Sequence, residues 1–435
     1  MTSLIDYGYH QTHLYFLTKN FFFGTSAISE TSQISDFFSQ IDLKPKTYEI
    51  TLFGSPLFEV AKESCEGFGI YISENIDLNE FWSKSRQFLE TKREKQFYIK
   101  VKDIKSLDAY SAKENAELRI DKVANLMAFY HHKRKMSWSD KSVVSYNDEE
   151  GKKISHLISP STPAILKGND HKSGLANEKL KLILRRLMVL KRDSFAKFNT
   201  VIDLHGIALT NKDIENQLLN LWIAIETLIP TEDKKTKISS ILSSLNPFLE
   251  FNYVSKIIDS IRKSLIRWDK EIFEQEMKKI DNDHPFELQT FIRFLCCKEY
   301  EDNRTKMYEL LGREEVLRFR VFTYANSFKN VKNIRKLIAG HRQKSYWHVR
   351  RIYRARNLIV HSGKNPGSIE VLVENLHNYL DLFLNQTIEF VINDVQIRSI
   401  EQSIKEVQLL NLQREKLFEE NLNAEIDDSN YREYY

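Results

Sequence analysis

Along the first two hundred residues, short apolar, β-branched runs alternate with polar stretches. KTYEITLFG, GFGIYIS and QFYIKVKDI carry the aromatic and β-branched side chains that suit a pleated, half-buried surface, so each predicts a strand. Next comes AYSAKENAELRIDKVANLMAFYHHKRK, rich in Ala, Leu, Glu and Lys. Its Leu118, Val123, Leu126, Met127 and Tyr130 recur at roughly helical spacing, which predicts a helix with that stripe inward. From Trp138 to about Gly174 the chain turns polar, SPSTP and KGNDHKSG read as loops, and no active site is expected there.

Beyond Gly206 nearly every segment has helical period and almost no strand signal survives. NKDIENQLLNLWIAIETLIP puts Leu218, Trp222, Ile225 and Ile229 on one face, with Asn211 as N-cap and Pro230 as stop. Further helices are expected at about 236–245, 252–280, 286–299, 303–311, 313–339, 344–361, 368–394 and 396–422. The expected fold is therefore an α+β N-terminal region, residues 1–205, followed by an all-α half, residues 206–435, that ends in an acidic C-terminal helix. The chain is expected to be predominantly α overall. No internal repeat of fixed period and no low-complexity tract interrupts it.

Composition narrows the class. The 42% hydrophobic content over 435 residues suits a soluble globular protein of two or three domains. Three cysteines, Cys65, Cys296 and Cys297, cannot make a disulfide framework and have no C-x-x-C spacing for zinc, which points to a reducing cytoplasm. The N-terminus is aromatic but broken by His10, His13 and Lys19, unlike a signal peptide, and no window approaches the ~18 apolar residues of a membrane span. Net charge is only +4, yet Val316 to Ile369 holds 13 Lys or Arg and no acid, while Glu370 to the end holds 14 acidic and 5 basic residues. A block of that kind is either the footprint of a polyanion site or a solvated face paired with the acidic tail.

Within the block, RIYRARNLIVHSG ends the helix expected at 344–361. At about 100° per residue, Val349, Ile352 and Ile359 make a narrow apolar stripe, while Arg350, Arg354, Asn357 and His361 form a polar stripe opposite. Gly363 stands where a helix C-terminus wants a left-handed residue, which places His361 in the last turn, where the helix dipole favours a cation. Histidine titrates near neutrality and can move protons, and guanidinium binds phosphate oxygens through a planar fork. Those groups suit phosphodiester cleavage. On RNA the substrate's own 2′-hydroxyl can attack, so no metal and no protein nucleophile is required. Asn357 can orient the imidazole or donate to phosphate, and Arg350 and Arg351 can guide the backbone. Tyr353 and Trp347 are read as core rather than as base-stacking platforms.

Arg356 through His361 has the form R-N-x-x-x-H, which resembles the R-x(4–6)-H motif of HEPN-domain ribonucleases. With LWIAIETLIP upstream, the surroundings look like the Apea-like branch of that superfamily over roughly residues 211–395. The resemblance implies a helical bundle that dimerises so that Arg356 and His361 of both chains line one cleft. It also implies metal-independent RNA cleavage without a cofactor, and frequent service as a toxin or antiphage-defence effector. Arg356 lies about 140° around the helix from His361, nearer the apolar stripe, whereas Arg354 is on the histidine's side at the longer spacing the motif permits. Either Arg356 reaches a cleft shared by two protomers, or it is a buried structural arginine paired with Glu226 while Arg354 meets the phosphate. The family pattern favours Arg356. Residues 1–205 are expected to sense a trigger or partner, or to hold the nuclease inactive. The alternative is a non-catalytic helical module that binds RNA or another partner.

Other signals carry less. Asp203 and His205 in VIDLHGIAL look like the D-x-H that opens metallophosphoesterase sites, but the remaining ligand motifs do not follow, so no metal is expected. His131 and His132, and Asp281, Asp283 and His284, lack convergent partners and are read as surface. Phosphate-binding glycine loops and G-x-S-x-G elbows are absent from the sequence.

Overall fold

The computed structural model describes all residues except 1, 25–31, 132, 149, 161–162, 168–171, 188–189, 231–235, 365–368 and 395. The chain forms an α+β unit, Met1–Pro163, and a helical unit, Ala164–Tyr435, and is predominantly α. His132 lies outside the described residues.

In the first unit the three expected strands are β1 (Lys46–Gly54), β2 (Ile70–Ser73) and β3 (Phe97–Ser106). Two more, β4 (Ser142–Asn147) and β5 (Lys153–Ile158), fall in the stretch expected to be loop. They pair with each other as a hairpin and complete an antiparallel sheet of order β2-β3-β1-β4-β5. The β1–β3 register slips between Tyr48 and Ile50, opposite Asp103 at φ 57°, a left-handed conformation that aspartate tolerates better than most residues.

Helix α1 (Ala109–Tyr130) starts at Asp108, whose carboxylate accepts from the N–H groups of Tyr110 and Ser111. It packs on the sheet through Ala112, Ala116, Ile120 and Val123 against Ile50, Leu52, Ile99 and Val101. The expected stripe is thus corrected. Small alanines let the helix approach the strands, and Leu118, Leu126 and Tyr130 point to solvent, at 62, 49 and 85% exposure. The other face of the sheet packs Phe53, Tyr98 and Val143 with Leu89.

The principal helices of the second unit are α2 (Arg192–Thr210), α3 (Ile214–Leu228), α4 (Lys237–Phe251), α5 (Tyr253–Trp268), α6 (Leu288–Cys296), α7 (Glu315–Phe328), α8 (Val331–Ser362), α9 (Ile369–Asn393) and α10 (Ile400–Glu420). The division of the chain falls at Pro163, not near residue 205, because α2 buries Phe198, Val201 and Ala208 in the helical core. Leu218, Trp222, Ile225 and Ile229 are buried as their spacing predicts. The cap of α3, however, is Asp213, which accepts from Glu215 and Asn216 N–H groups, while Asn211 ends α2. The helix expected at 252–280 breaks at Asp269, which caps a second, shorter helix. The segments expected at 313–339 and 344–361 divide elsewhere: Asn330 caps α8, which then runs unbroken for 32 residues through Gly340.

α8 joins two cores. Val331, Ile334 and Ile338 pack with Phe291, Phe294, Phe328 and Phe418, whereas Val349, Ile352 and Ala355 pack with Trp222, Phe248 and Phe383. At about 25 cal/mol per Å² of apolar surface removed from water, these two stripes hold a helix that its own propensity would hold only weakly. Among the described residues no helix is long and apolar enough to cross a membrane.

Candidate active site

The last turns of α8 show why a helix can be so cationic and still fold. One face is satisfied by burial of Val349, Ile352 and Ala355, so the rest of the circumference is free to carry charge. Arg350, Arg351, Arg354 and His361 are exposed, and Arg356, Asn357 and Ile359 are half-buried. The helix stops as predicted. Gly363 takes φ 59° and ψ 22°, and the N–H groups of Gly363 and Lys364 reach the carbonyls of Ile359 and Leu358 at 3.0 and 3.4 Å.

Because the helix is unbroken, Arg350, Arg354, Asn357 and His361 follow one another along one stripe. Arg350 lies over the ring of Tyr346, 4.7 Å from its centroid, which fixes the start of the stripe. Arg356 turns toward the core side, and its Nη1 donates to Asn357 Oδ1 at 3.1 Å. With that oxygen engaged, Asn357 has its amide N–H groups to offer an anion. Among the described residues no carboxylate pairs with Arg350, Arg351, Arg354 or Arg356.

Glu226 does not pair with Arg356. Its side chain, 9% exposed, accepts from Trp222 Nε1 at 2.6 Å and from Lys237 Nζ at 2.8 Å, and so ties α3 to α4. Tyr353 packs on Trp222 with ring centroids 5.6 Å apart and belongs to the core, as expected. Trp347 does not: it is 63% exposed beside the arginines.

Two groupings have no counterpart in the sequence reading. In the α+β unit a cavity of about 670 Å³ is walled by Tyr9, Tyr48, Tyr110, Trp82 and His156, with Lys46 and Lys84 at its lining. β5 contributes to it, so the stretch dismissed as loop helps to build a pocket. In the helical unit His205 of α2 meets His377 of α9, 172 residues away, with Nε2 atoms 2.8 Å apart and ring centroids 4.9 Å apart, the rings end to end in nearly parallel planes. Asp381, one turn beyond His377, completes the group at 3.7 and 3.6 Å from the two nitrogens. Burial lowers the pKa of His205, and the neighbouring His377 adds to that while Asp381 opposes it. Asp203, the other half of the D-x-H, points to solvent and takes no part. No local spacing could have found either grouping, because each is assembled from distant segments.

Compared with protein-family models, with curated proteins and with solved structures, this chain matches none of them.

Proposed function

We propose that the C-terminal end of α8 cleaves RNA without a metal in the chemical step. The observation that carries this reading is the stripe of exposed Arg350, Arg354 and His361 with half-buried Asn357 among them, uncompensated by any described carboxylate and joined at its edge by Arg356. Backbone phosphates enter along Arg350 and Arg351. His361 takes the proton of the 2′-hydroxyl, and that oxygen bonds to phosphorus as the bond to the 5′-oxygen breaks. The departing oxygen receives a proton from the same histidine of a second copy of the chain. The products are a 2′,3′-cyclic phosphate and a 5′-hydroxyl. Arg356 and Asn357 hold the charge that builds on the non-bridging oxygens. The R-N-x-x-x-H resemblance supports a homodimer and a role as a toxin or defence effector. The aromatic cavity of the α+β unit, of a size that takes small ligands, supports a sensory role for that unit.

The test is cleavage of labelled RNA in chelator, at a temperature where circular dichroism shows an intact fold. Wild type is expected to cut and leave cyclic phosphate ends. His361→Ala, at an exposed position, should fold normally and lose about 10²–10⁴-fold in rate. Arg356→Ala should lose a comparable factor. If Arg354→Ala abolishes cleavage while Arg356→Ala unfolds the protein, the two arginines exchange roles. The exposed position of His361 in a single chain also suits a non-catalytic binding face. RNA binding without cleavage by the dimer supports that second reading and ends the first.

A further inference from the structure

We propose that His205, His377 and Asp381 form a binding site for a divalent transition metal of the Zn²⁺ type, which clamps α2 to α9. The site is separate from the α8 residues given roles in cleavage, and the inference stands whether or not the chain is a nuclease.

The two Nε2 atoms face each other at 2.8 Å, so at most one proton can sit between them. Both rings are largely sheltered from water, His377 at 9% and His205 at 22% exposure. The Asp381 carboxylate, 38% exposed, has these two rings within reach and, among the described residues, no lysine or arginine. Two imidazole nitrogens and a carboxylate therefore converge, and among the described residues no cationic side chain joins them. A divalent ion in place of the proton between the rings satisfies all three.

Geometry and ligand type agree. Bonds of ~2.0–2.1 Å at tetrahedral angles put neighbouring ligand atoms ~3.3–3.4 Å apart. The two nitrogens are 2.8 Å apart and Asp381 reaches them with different oxygens, Oδ1 at 3.7 Å from His205 and Oδ2 at 3.6 Å from His377, so admitting the ion needs the rings to part by about half an ångström and one carboxylate oxygen to turn inward. His377 and Asp381 are four residues apart on one helix and so share a face, while His205 approaches from another helix. Two imidazoles and one carboxylate suit zinc rather than magnesium or calcium, and three protein ligands leave a fourth position for water.

A second grouping, Cys297, Glu299 and Asp428, shows what an unsuitable cluster looks like. Both oxygens of Asp428 are engaged by Arg293, at 2.9 and 2.7 Å, and one also accepts from Tyr300 at 2.6 Å. Burial raises the pKa of the Cys297 thiol, which disfavours the thiolate a metal needs. The histidine site has neither obstacle.

The experiment uses the full chain, stripped with chelator and titrated with Zn²⁺ and with Co²⁺. One equivalent is expected to bind, with the visible bands of tetrahedral Co²⁺ and a rise in Tm. Asp381→Asn keeps the shape of the site, and His205→Gln alters its more open edge. Each should weaken binding by about a hundredfold or more, since even groups that only support a ligand are worth 10–100-fold. If the stripped protein binds either ion no more tightly than Asp381→Asn and His205→Gln do, or shows no tetrahedral bands, the proposal fails and the pair is a neutral histidine hydrogen bond.

Discussion

The two halves of α8 have similar composition and opposite fates. From Val331 to Gln343 the two arginines meet carboxylates. Arg335 pairs with Glu415 at 3.2 Å and Glu419 at 2.7 Å, and Arg342 holds both oxygens of Glu250, at 2.8 and 2.7 Å, and also Glu415 at 2.6 Å. From Lys344 to Ser362, Arg350, Arg351 and Arg354 are exposed and Arg356 is half-buried, and none of the four has a described carboxylate in reach. Glu250 and the acidic tail thus pair the two arginines of one half, while the arginines of the other half keep no described carboxylate. A run of like charge in a sequence does not say which part is structural. Pairing across 70 or more residues decides it, and only the unpaired half has charge left to give to a polyanion.

The largest effect that sharpens this contrast belongs to the paired half. The Glu250 side chain is 4% exposed, so Arg342→Ala strands a buried carboxylate between α4 and α8. Full loss of a buried partner costs ~3–5 kcal/mol, but Arg342 is 42% exposed, so we expect a loss of about 2 kcal/mol in urea unfolding. Glu250→Gln in the same chain should restore part of it. A change below about 0.5 kcal/mol would mean that this half is as free as the other.

The unpaired half should behave in reverse. Changing Arg350, Arg351 and Arg354 together to alanine should leave stability within about 1 kcal/mol, because each is exposed and lacks a described carboxylate partner, and only the exposed contact of Arg350 with the Tyr346 ring is lost. RNA affinity at moderate salt should instead fall about tenfold, and the slope of log K against log salt should drop by about 2, for three lost single-strand phosphate contacts. Fluorescence anisotropy across a salt series measures both. An unchanged slope with reduced stability would reverse the assignment.

What could be read from sequence follows the same division between local and distant. The stripe at the end of α8, its Gly363 stop, the burial of Leu218, Trp222 and Ile225, and strands β1 to β3 all rest on periodicity within a few residues. β4 and β5 were hidden because SVVSYN and KISHLI carry several serines and sit in a polar stretch. Their hairpin and their pairing with β1 define them as strands. The face of α1 was misread because alanine gives a weak hydrophobic signal although it packs closest to a sheet. Glu226 looked like a partner for Arg356, but Trp222 and Lys237 claim it first. The His205, His377 and Asp381 cluster and the cavity of the α+β unit needed tertiary structure outright.

Two glycines on α8 offer the smallest and cleanest comparison of its halves. A Cβ at Gly340 or at Gly363 would meet nothing within 4 Å, so Ala at either site creates no clash and only backbone preference is tested. Gly340 is inside the helix, where alanine lowers the entropy of the unfolded chain without strain. Gly340→Ala should therefore stabilise by about 0.5–1 kcal/mol. Gly363 is at φ 59°, where an L side chain crowds its own carbonyl, so Gly363→Ala should destabilise by about 1 kcal/mol, and Gly363→Asn by less. Opposite signs for one substitution on one helix would show that α8 is continuous through residue 340 and ends at 363, which is what sets His361 in the final turn. Equal signs would mean that the helix breaks at Gly340. The stripe from Arg350 to His361 would then belong to a separate element, free to turn relative to the paired half.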